Sequence, residues 1–283
     1  MKVIVTGATG QLGKAVIESW QSVPTVQLYP YSEEDFDITN ESMINKYVTR
    51  GFDVLLNCAA YTNVDCAEQG SAAAYLVNAE AVKKLAIKAA QAKLKFVHIS
   101  TDYVFSGLKQ TGYTEDDKPE PINEYGRSKL AGEIFLQKYC SDYLLVRTAW
   151  LYGGEGLNFI NRVRNHDGKK EPLRVAKDQI GSPTCATDLA FVIYQLLKQK
   201  ATGLFHVVSQ GQASRLEWAK AITDYLKLDV DLQGVSSNEL AQGIAKRPKF
   251  SCLDSIRLEK TNVKKIQDWK SALYSFLKST YLS

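Results

Sequence analysis

Three features of the sequence predict an α/β protein with a doubly wound parallel sheet and a smaller, interleaved C-terminal region. Short β-branched runs alternate with longer stretches of helical period, two of those runs are apolar at successive positions, and the first run ends in regularly spaced glycines. A strand over 2–6 precedes a helix over 12–22. Strands over 26–29, 54–58 and 96–100 precede helices over 40–50, 71–92 and 123–139, and a strand over 144–148 closes the series. Val3-Ile4-Val5 and Val54-Leu55-Leu56 lack polar alternation, as strands covered on both faces do. Thr39-Asn40-Glu41 supplies a start for the second helix and Gly51 a stop.

After Trp150 the texture changes to Tyr152-Gly153-Gly154-Glu155-Gly156 and then to shorter elements separated by Pro172, Pro183, Gly203, Gly211 and Gly234. The expected division is a first domain over 1–150 and a second region over 151–283. The boundary is soft, because 187–198 and 205–208 can return to pack on the first domain.

The 283 residues are 45% apolar and 23% charged, enough for a sizeable core under a solvated surface. A net charge of +4, spread without long runs, neither predicts nucleic-acid binding nor excludes an anionic small substrate. The 15 Tyr and 4 Trp are dispersed and lack a basic stripe, so no nucleic-acid partner is expected. Cys58, Cys66, Cys140, Cys185 and Cys252 are scattered without a C-x-x-C pair, which fits a reducing cytoplasm and argues against zinc. No apolar stretch reaches about 18 residues, and Gly7 breaks the N-terminal run too early for a signal core, so no membrane partner is expected.

The first strand runs into Gly7-x-x-Gly10-x-x-Gly13 and then into a helix. Glycines there permit a tight turn, bring backbone N–H groups to a pyrophosphate and let the helix pack on the strand, as in Rossmann dinucleotide sites. The second strand ends at Tyr31-Ser32, followed by Glu33, Glu34 and Asp35. No arginine stands there to receive a 2′-phosphate, which leans toward NADH over NADPH. The fourth strand ends in Ser100-Thr101-Asp102, at the sheet edge where open α/β folds bind ligands. Tyr125 and Lys129 lie four residues apart and share one helical face. Hydride reduction of a ketone leaves an alkoxide that needs a proton. Tyr125 can donate it, Lys129 can lower the Tyr125 pKa and hold ribose hydroxyls, and Thr101 can hydrogen-bond the substrate oxygen.

Together these residues resemble the extended short-chain dehydrogenases/reductases. Four further stretches resemble the dTDP-4-dehydrorhamnose reductase family: Asn57 to Glu68, Ser100 to Phe105, Arg147-Thr148-Ala149-Trp150-Leu151-Tyr152-Gly153, and Asp178-Gln179-x-Gly181-Ser182-Pro183-Thr184. The resemblance runs from Met1 to the Arg247-Pro248-x-x-Ser251-x-Leu253-Asp254 segment. It implies NAD(P)H-dependent reduction of the C4 ketone of dTDP-4-dehydro-L-rhamnose to dTDP-L-rhamnose, with Thr101, Tyr125 and Lys129 catalytic. It further implies that Gly10, Gln11 and Leu12 meet the pyrophosphate, Asp37 and Ile38 the adenine, and Ala59, Ala60 and Tyr61 the middle of the cofactor. Val64, Thr101, Asp102 and Trp150 would meet the sugar, Trp150 with a flat apolar face. Asn158, Gln179 and Arg247 would serve the nucleotide and its diphosphate.

Some bacterial members dimerise through acidic residues that hold a metal on the first helix. Here that helix begins Lys14-Ala15-Val16 with Glu18 a turn later, so magnesium lacks support and a monomer or weak homodimer is expected. His98, Trp20 and Trp218 read as packing residues and His166 as solvated. Asn78 is open between supporting the site, through water or backbone, and ordinary helix packing. A non-catalytic regulatory module of the same fold and a related nucleotide-sugar reductase or epimerase are the rival functions.

Overall fold

Buried β-branched strands need cover on both faces, and the chain provides it by crossing from strand to strand through helices. The computed structural model describes residues 1–154, 158–240 and 244–282, so Glu155 and Gly156 of the glycine-rich turn lie outside the described residues. The chain opens with β1 (Lys2–Thr6), α1 (Gln11–Trp20), β2 (Gln27–Tyr31), α2 (Glu41–Tyr47) and β3 (Val54–Asn57). It continues through α3 (Val64–Gln69), α4 (Ser71–Tyr75) and α5 (Ala81–Ala92), with a π-helical turn at Leu76–Glu80 joining the last two. Then come β4 (Lys95–Thr101), α6 (Glu124–Tyr139) and β5 (Tyr143–Thr148).

Beyond β5 the strands shorten to between two and four residues, as the scattered glycines and prolines predict, while helices of up to 13 residues persist among the elements. They are β6 (Leu151–Tyr152), α7 (Phe159–Arg164), β7 (Leu173–Ala176), β8 (Ile180–Gly181), β9 (Thr184–Cys185), α8 (Ala186–Lys198) and β10 (Gly203–His206). After them follow β11 (Ser209–Gln210), β12 (Ala213–Ser214), α9 (Arg215–Leu226), β13 (Leu232–Val235), β14 (Ile266–Asp268) and α10 (Trp269–Tyr281).

Six strands form the central parallel sheet in the order β10-β5-β4-β3-β1-β2. The direction of strand addition reverses between β1 and β3, which opens a crevice beyond their carboxyl ends. Val3, Val5, Leu56, Val97 and Val146 pack on one face with α1 and α8. Ile4, Leu55, Phe96 and Leu145 pack on the other with α5 and Leu136 of α6. The segments left free to return to the first domain do so: β10 pairs with β5 from Gly203↔Leu144 to His206↔Arg147, and Trp20 Nε1 donates to the Ala190 carbonyl of α8 at 3.1 Å. A third core gathers Trp218, Ile222, Leu273 and Leu277 from the C-terminal helices.

Two helices differ from their sequence reading. The second starts where expected, Asn40 capping the Ser42 and Met43 N–H groups, but ends at Tyr47 because Val48 leaves helical geometry at ψ 83°. The long helix over 71–92 is interrupted by the π turn, a feature that amphipathic spacing does not reveal.

Helix α6 is anchored by a buried, doubly hydrogen-bonded ion pair. Arg147 Nη2 and Nε on β5 donate to Glu133 at 2.6 and 2.9 Å. Removing one partner of such a pair strands the other charge in the core. Glu133→Gln is therefore expected to lose about 3–5 kcal/mol, read as a drop in the urea midpoint by circular dichroism. A midpoint like that of the parent chain would mean the pair contributes nothing.

Candidate active site

A cleft with a cavity volume of about 710 Å³ lies at the switch between β1 and β3. Gly7, Thr9, Gly10, Gln11 and Leu12 line one end with Glu33, Phe36, Asp37, Ile38 and Thr39. Cys58, Ala59, Ala60, Tyr61 and Thr62 line the middle. Thr101, Asp102, Tyr125, Lys129, Thr148 and Trp150 line the far end. Gly13 is not in the lining. A Cβ there would lie 2.2 Å from the Gly7 carbonyl, so its role is to let α1 sit against the turn. The cleft fits a dinucleotide. The N-terminus of α1 opens onto it, and buried Gln11 Oε1, Ser100 Oγ and Thr148 Oγ1 in its walls have no hydrogen-bond partner among the described residues.

The strand ends are tied by buried side chains. Thr6 Oγ1 donates to Asn57 Oδ1 at 2.6 Å, the same oxygen accepts from Ala59 N, and Asn57 Nδ2 meets His98 Nδ1 at 3.1 Å. His98 accepts through Nδ1 and is neutral, because burial holds its pKa well below the ordinary value. Asn78, on the π turn, resolves in favour of site support through the backbone. Its amide accepts from Tyr61 N at 2.9 Å and donates to Tyr61 O at 3.0 Å. It also donates to Ser128 Oγ at 3.0 Å, which donates in turn to the Tyr125 carbonyl at 2.8 Å. One asparagine thus joins the middle of the cleft to the helix carrying Tyr125 and Lys129.

Thr101 Oγ1 donates to Asp102 Oδ1 at 3.0 Å and accepts from Tyr103 N at 3.2 Å. Burial pushes the Asp102 carboxyl up to about 6, against the hydrogen bonds of Ser251 and Thr101. Burial likewise pushes the Tyr125 phenol above its ordinary value. Asp102 and Tyr103 add to that rise, while Thr101 opposes it. The expected lowering of Tyr125 by Lys129 is not found. Lys129 is itself desolvated, which brings it down to about 8, and its Nζ donates to the Ile99 carbonyl at 2.7 Å.

At the sugar end, the flat face expected of Trp150 is covered. The guanidinium of Arg215 lies 3.5 Å from the ring centroid, and Trp218 is stacked at 5.7 Å. Trp150 adopts a left-handed φ of 46°, and the ring lies against Gly181, where a Cβ would be 2.4 Å from it. Arg215 also acts electrostatically on Asp102 and Tyr103 and was not found from sequence. One signal was available: a cation at the first position of a helix opposes the helix dipole, so another interaction has to hold it there.

Val64, Asn158, Gln179 and Arg247 are not in the cleft lining. Val64 begins α3. Asn158 caps α7, accepting from Asn161 N at 2.9 Å, so its side chain is committed to the helix. The Gln179 carbonyl accepts from Arg215 N, and Arg247 pairs with Asp65 at 2.6 Å. Among the described residues no group of three or more His, Cys, Asp or Glu is placed to hold a metal, and no helix is long and apolar enough to cross a membrane.

The seating of Trp150 is testable. Gly181→Ala is expected to displace the ring, change the near-ultraviolet circular dichroism of the Trp150–Trp218 pair and cost about 1–3 kcal/mol of stability. An unaltered near-ultraviolet spectrum would show that the ring does not sit against Gly181.

Comparisons with known proteins agree with this architecture. The chain matches the family described as RmlD substrate binding domain over residues 1–282. It is 34% identical to a dTDP-4-dehydrorhamnose reductase of Mycolicibacterium smegmatis, covering 96% of this chain and 84% of that one. The crystal structure of a dTDP-4-dehydrorhamnose reductase from Clostridium acetobutylicum superposes with a TM-score of 0.94 at 37% identity, over 99% of both chains. That of the Bacillus anthracis enzyme in complex with NADP gives 0.93 at 37% identity, again over 99% of both. Over residues 1–282, the chain belongs to the RmlD substrate binding domain family, the dTDP-4-dehydrorhamnose reductases.

Proposed function

We propose that the chain reduces the C4 ketone of dTDP-4-dehydro-L-rhamnose to dTDP-L-rhamnose with NADH or NADPH as reductant. The observation that carries this reading is the joint placement of Thr101, Tyr125 and Lys129 at one end of a cleft that begins at the glycine turn. A bound reduced nicotinamide supplies a hydride to the ketone carbon. Thr101, whose oxygen is held by the Tyr103 N–H, turns the proton it gives to Asp102 in the free protein onto the ketone oxygen when the sugar is bound. Tyr125 gives its phenolic proton to that oxygen as charge develops; burial raises its pKa and weakens it as an acid, so the transfer is driven by the stronger basicity of the developing alkoxide. Lys129 holds the ribose hydroxyls. Gly10, Gln11 and Leu12 take the pyrophosphate, Asp37 and Ile38 the adenine, and Ala59, Ala60 and Tyr61 the middle of the cofactor.

The sugar meets Asp102 and the edge of Trp150, and Arg215 provides positive charge for the diphosphate, with Arg247 able to contribute only by leaving its pair with Asp65. Residues 1–150 act as the dinucleotide domain and 151–283 as the sugar-nucleotide region, which lends β10 and α8 to the first. On the same reading the enzyme works in the cytoplasm as a monomer or weak homodimer. A regulatory module has no chemical need for Thr101, Tyr125 and Lys129 together, and a dehydratase would show an Asp-Glu pair beside Thr101, where Asp102-Tyr103 stands.

Tyr125→Phe is expected to lower turnover by about 10²–10⁴ while retaining dinucleotide affinity, followed by nicotinamide absorbance with the dTDP-sugar. Retained turnover would remove Tyr125 as the acid. Arg215→Met is expected to raise the KM for the sugar nucleotide about tenfold or more with a smaller change in kcat, and an unchanged KM would remove Arg215 from the diphosphate site. Lys129 carries its proton below about 8 in the free protein, and binding that uses the ammonium favours the protonated form. Dinucleotide affinity is therefore expected to be full below about 8 and to fall as the pH rises past it, with Lys129→Met abolishing the dependence in a fluorescence titration.

A further inference from the structure

We infer that the chain carries a second binding site, for an uncharged, hydroxyl-rich molecule of monosaccharide size, in a crevice separate from the dinucleotide cleft. The crevice has a cavity volume of about 350 Å³, and among the described residues the two linings have no member in common. That volume lies at the small end of the ~300–1,000 Å³ typical of small-molecule sites. The inference does not depend on the proposed reduction.

The walls are segments that meet beyond β10. Cys252-Leu253-Asp254 runs beside Tyr113, with Tyr113 N donating to the Cys252 carbonyl and Asp254 N to the Tyr113 carbonyl, both at 2.8 Å. β11 is held against β14, and Gly211 turns the chain after it at a left-handed φ of 79°. A Cβ on Gly112 would lie 2.1 Å from Asp254 Oδ2, so the glycine lets that carboxylate lie across it. Val208, Leu253 and Leu258 add apolar surface.

The polar groups of the lining retain hydrogen-bonding capacity that the fold does not use. Ser209 is 1% exposed, and its Oγ has no hydrogen-bond partner among the described residues. The Asp254 carboxylate has no hydrogen bond or ion pair among them either. Gln210 Nε2 donates to the Ile266 carbonyl at 2.8 Å, which leaves its Oε1 to accept. Gln212 Oε1 accepts from Cys252 Sγ at 3.7 Å, which leaves its NH₂ to donate. A buried hydroxyl without a partner costs free energy that a ligand hydroxyl restores.

The class of ligand follows from this set. Ligand hydroxyls can donate to Asp254 and Gln210 and accept from Gln212, while Ser209 serves in either sense. An anion would meet the Asp254 charge, and the one lysine of the lining, Lys265, is already paired with Glu259 at 2.5 Å. An ammonium has no acceptor to offer the Gln212 NH₂.

The test titrates the full chain with D-glucose and with L-rhamnose by saturation-transfer NMR, with and without NAD⁺ and dTDP to fill the larger cleft. Saturable binding of at least one sugar is expected in both conditions. Ser209→Ala and Gln212→Ala are each expected to weaken it about tenfold, and Gln212 is exposed, so its truncation leaves the fold intact. No saturable transfer from either sugar, transfer that NAD⁺ and dTDP abolish, or an affinity untouched by both variants overturns the inference. Tighter binding of methylammonium or inorganic phosphate than of either sugar overturns it as well.

Discussion

The Glu133–Arg147 ion pair sets the position of helix α6, and with it the positions of Tyr125 and Lys129. Arg147 lies on β5 near the sheet's carboxyl edge, and the pair pins α6 there. The network extends further. His206 Nδ1 faces the carbonyls of Tyr113 and Asp254, so that nitrogen carries the proton and Nε2 is left to meet Arg147 Nη1 at 3.4 Å. Burial holds His206 down to about 4, which keeps the imidazole neutral beside the guanidinium. Glu115 accepts from His206 N and Ile256 N, bringing the loop before α6 and a segment near residue 256 to the same point. A buried pair with every partner satisfied favours one arrangement of these segments, because any other leaves a charge unpaired in the core.

Around that anchor the cleft is assembled by two asparagine side chains that bridge backbone and side-chain groups of separate elements. Asn78 joins Tyr61 to Ser128 and so sets the distance between the middle of the cleft and α6. The π turn places this asparagine within a helix while leaving its amide aimed at a neighbouring loop. Asn57 does similar work between β1, β3 and β4.

Desolvation governs the electrostatics. Tyr125 and Asp102 are pushed up and Lys129 down, each chiefly by burial. Both shifts come from the cleft walls: the phenol becomes a weaker acid that gives its proton only to a stronger base, as a developing alkoxide is, and the Lys129 ammonium is brought down to about 8. Arg215 shows the same balance: it is desolvated over Trp150, with Tyr103 and Asp102 favouring its charge.

The sheet, the glycine turn and the Tyr125–Lys129 face were legible in the sequence because each is written in short-range spacing. Strand burial shows as unbroken apolar runs, the turn as glycines three apart, and the shared helical face as a four-residue interval. The return of α8 and β10 to the first domain was legible as an option, since their apolar patterns suit either location. Four things were decided only by the tertiary structure: the cation on Trp150, the service of Asn78 to Tyr61, the commitment of Asn158 to capping α7, and the direction of the Tyr125 shift. Arg215 and Trp150 lie 65 positions apart in the chain, and no local pattern encodes a contact made between a helix start and a strained turn. Burial depends on every element that covers a group, so the pKa of Tyr125 belongs to the folded assembly and not to the motif that contains it.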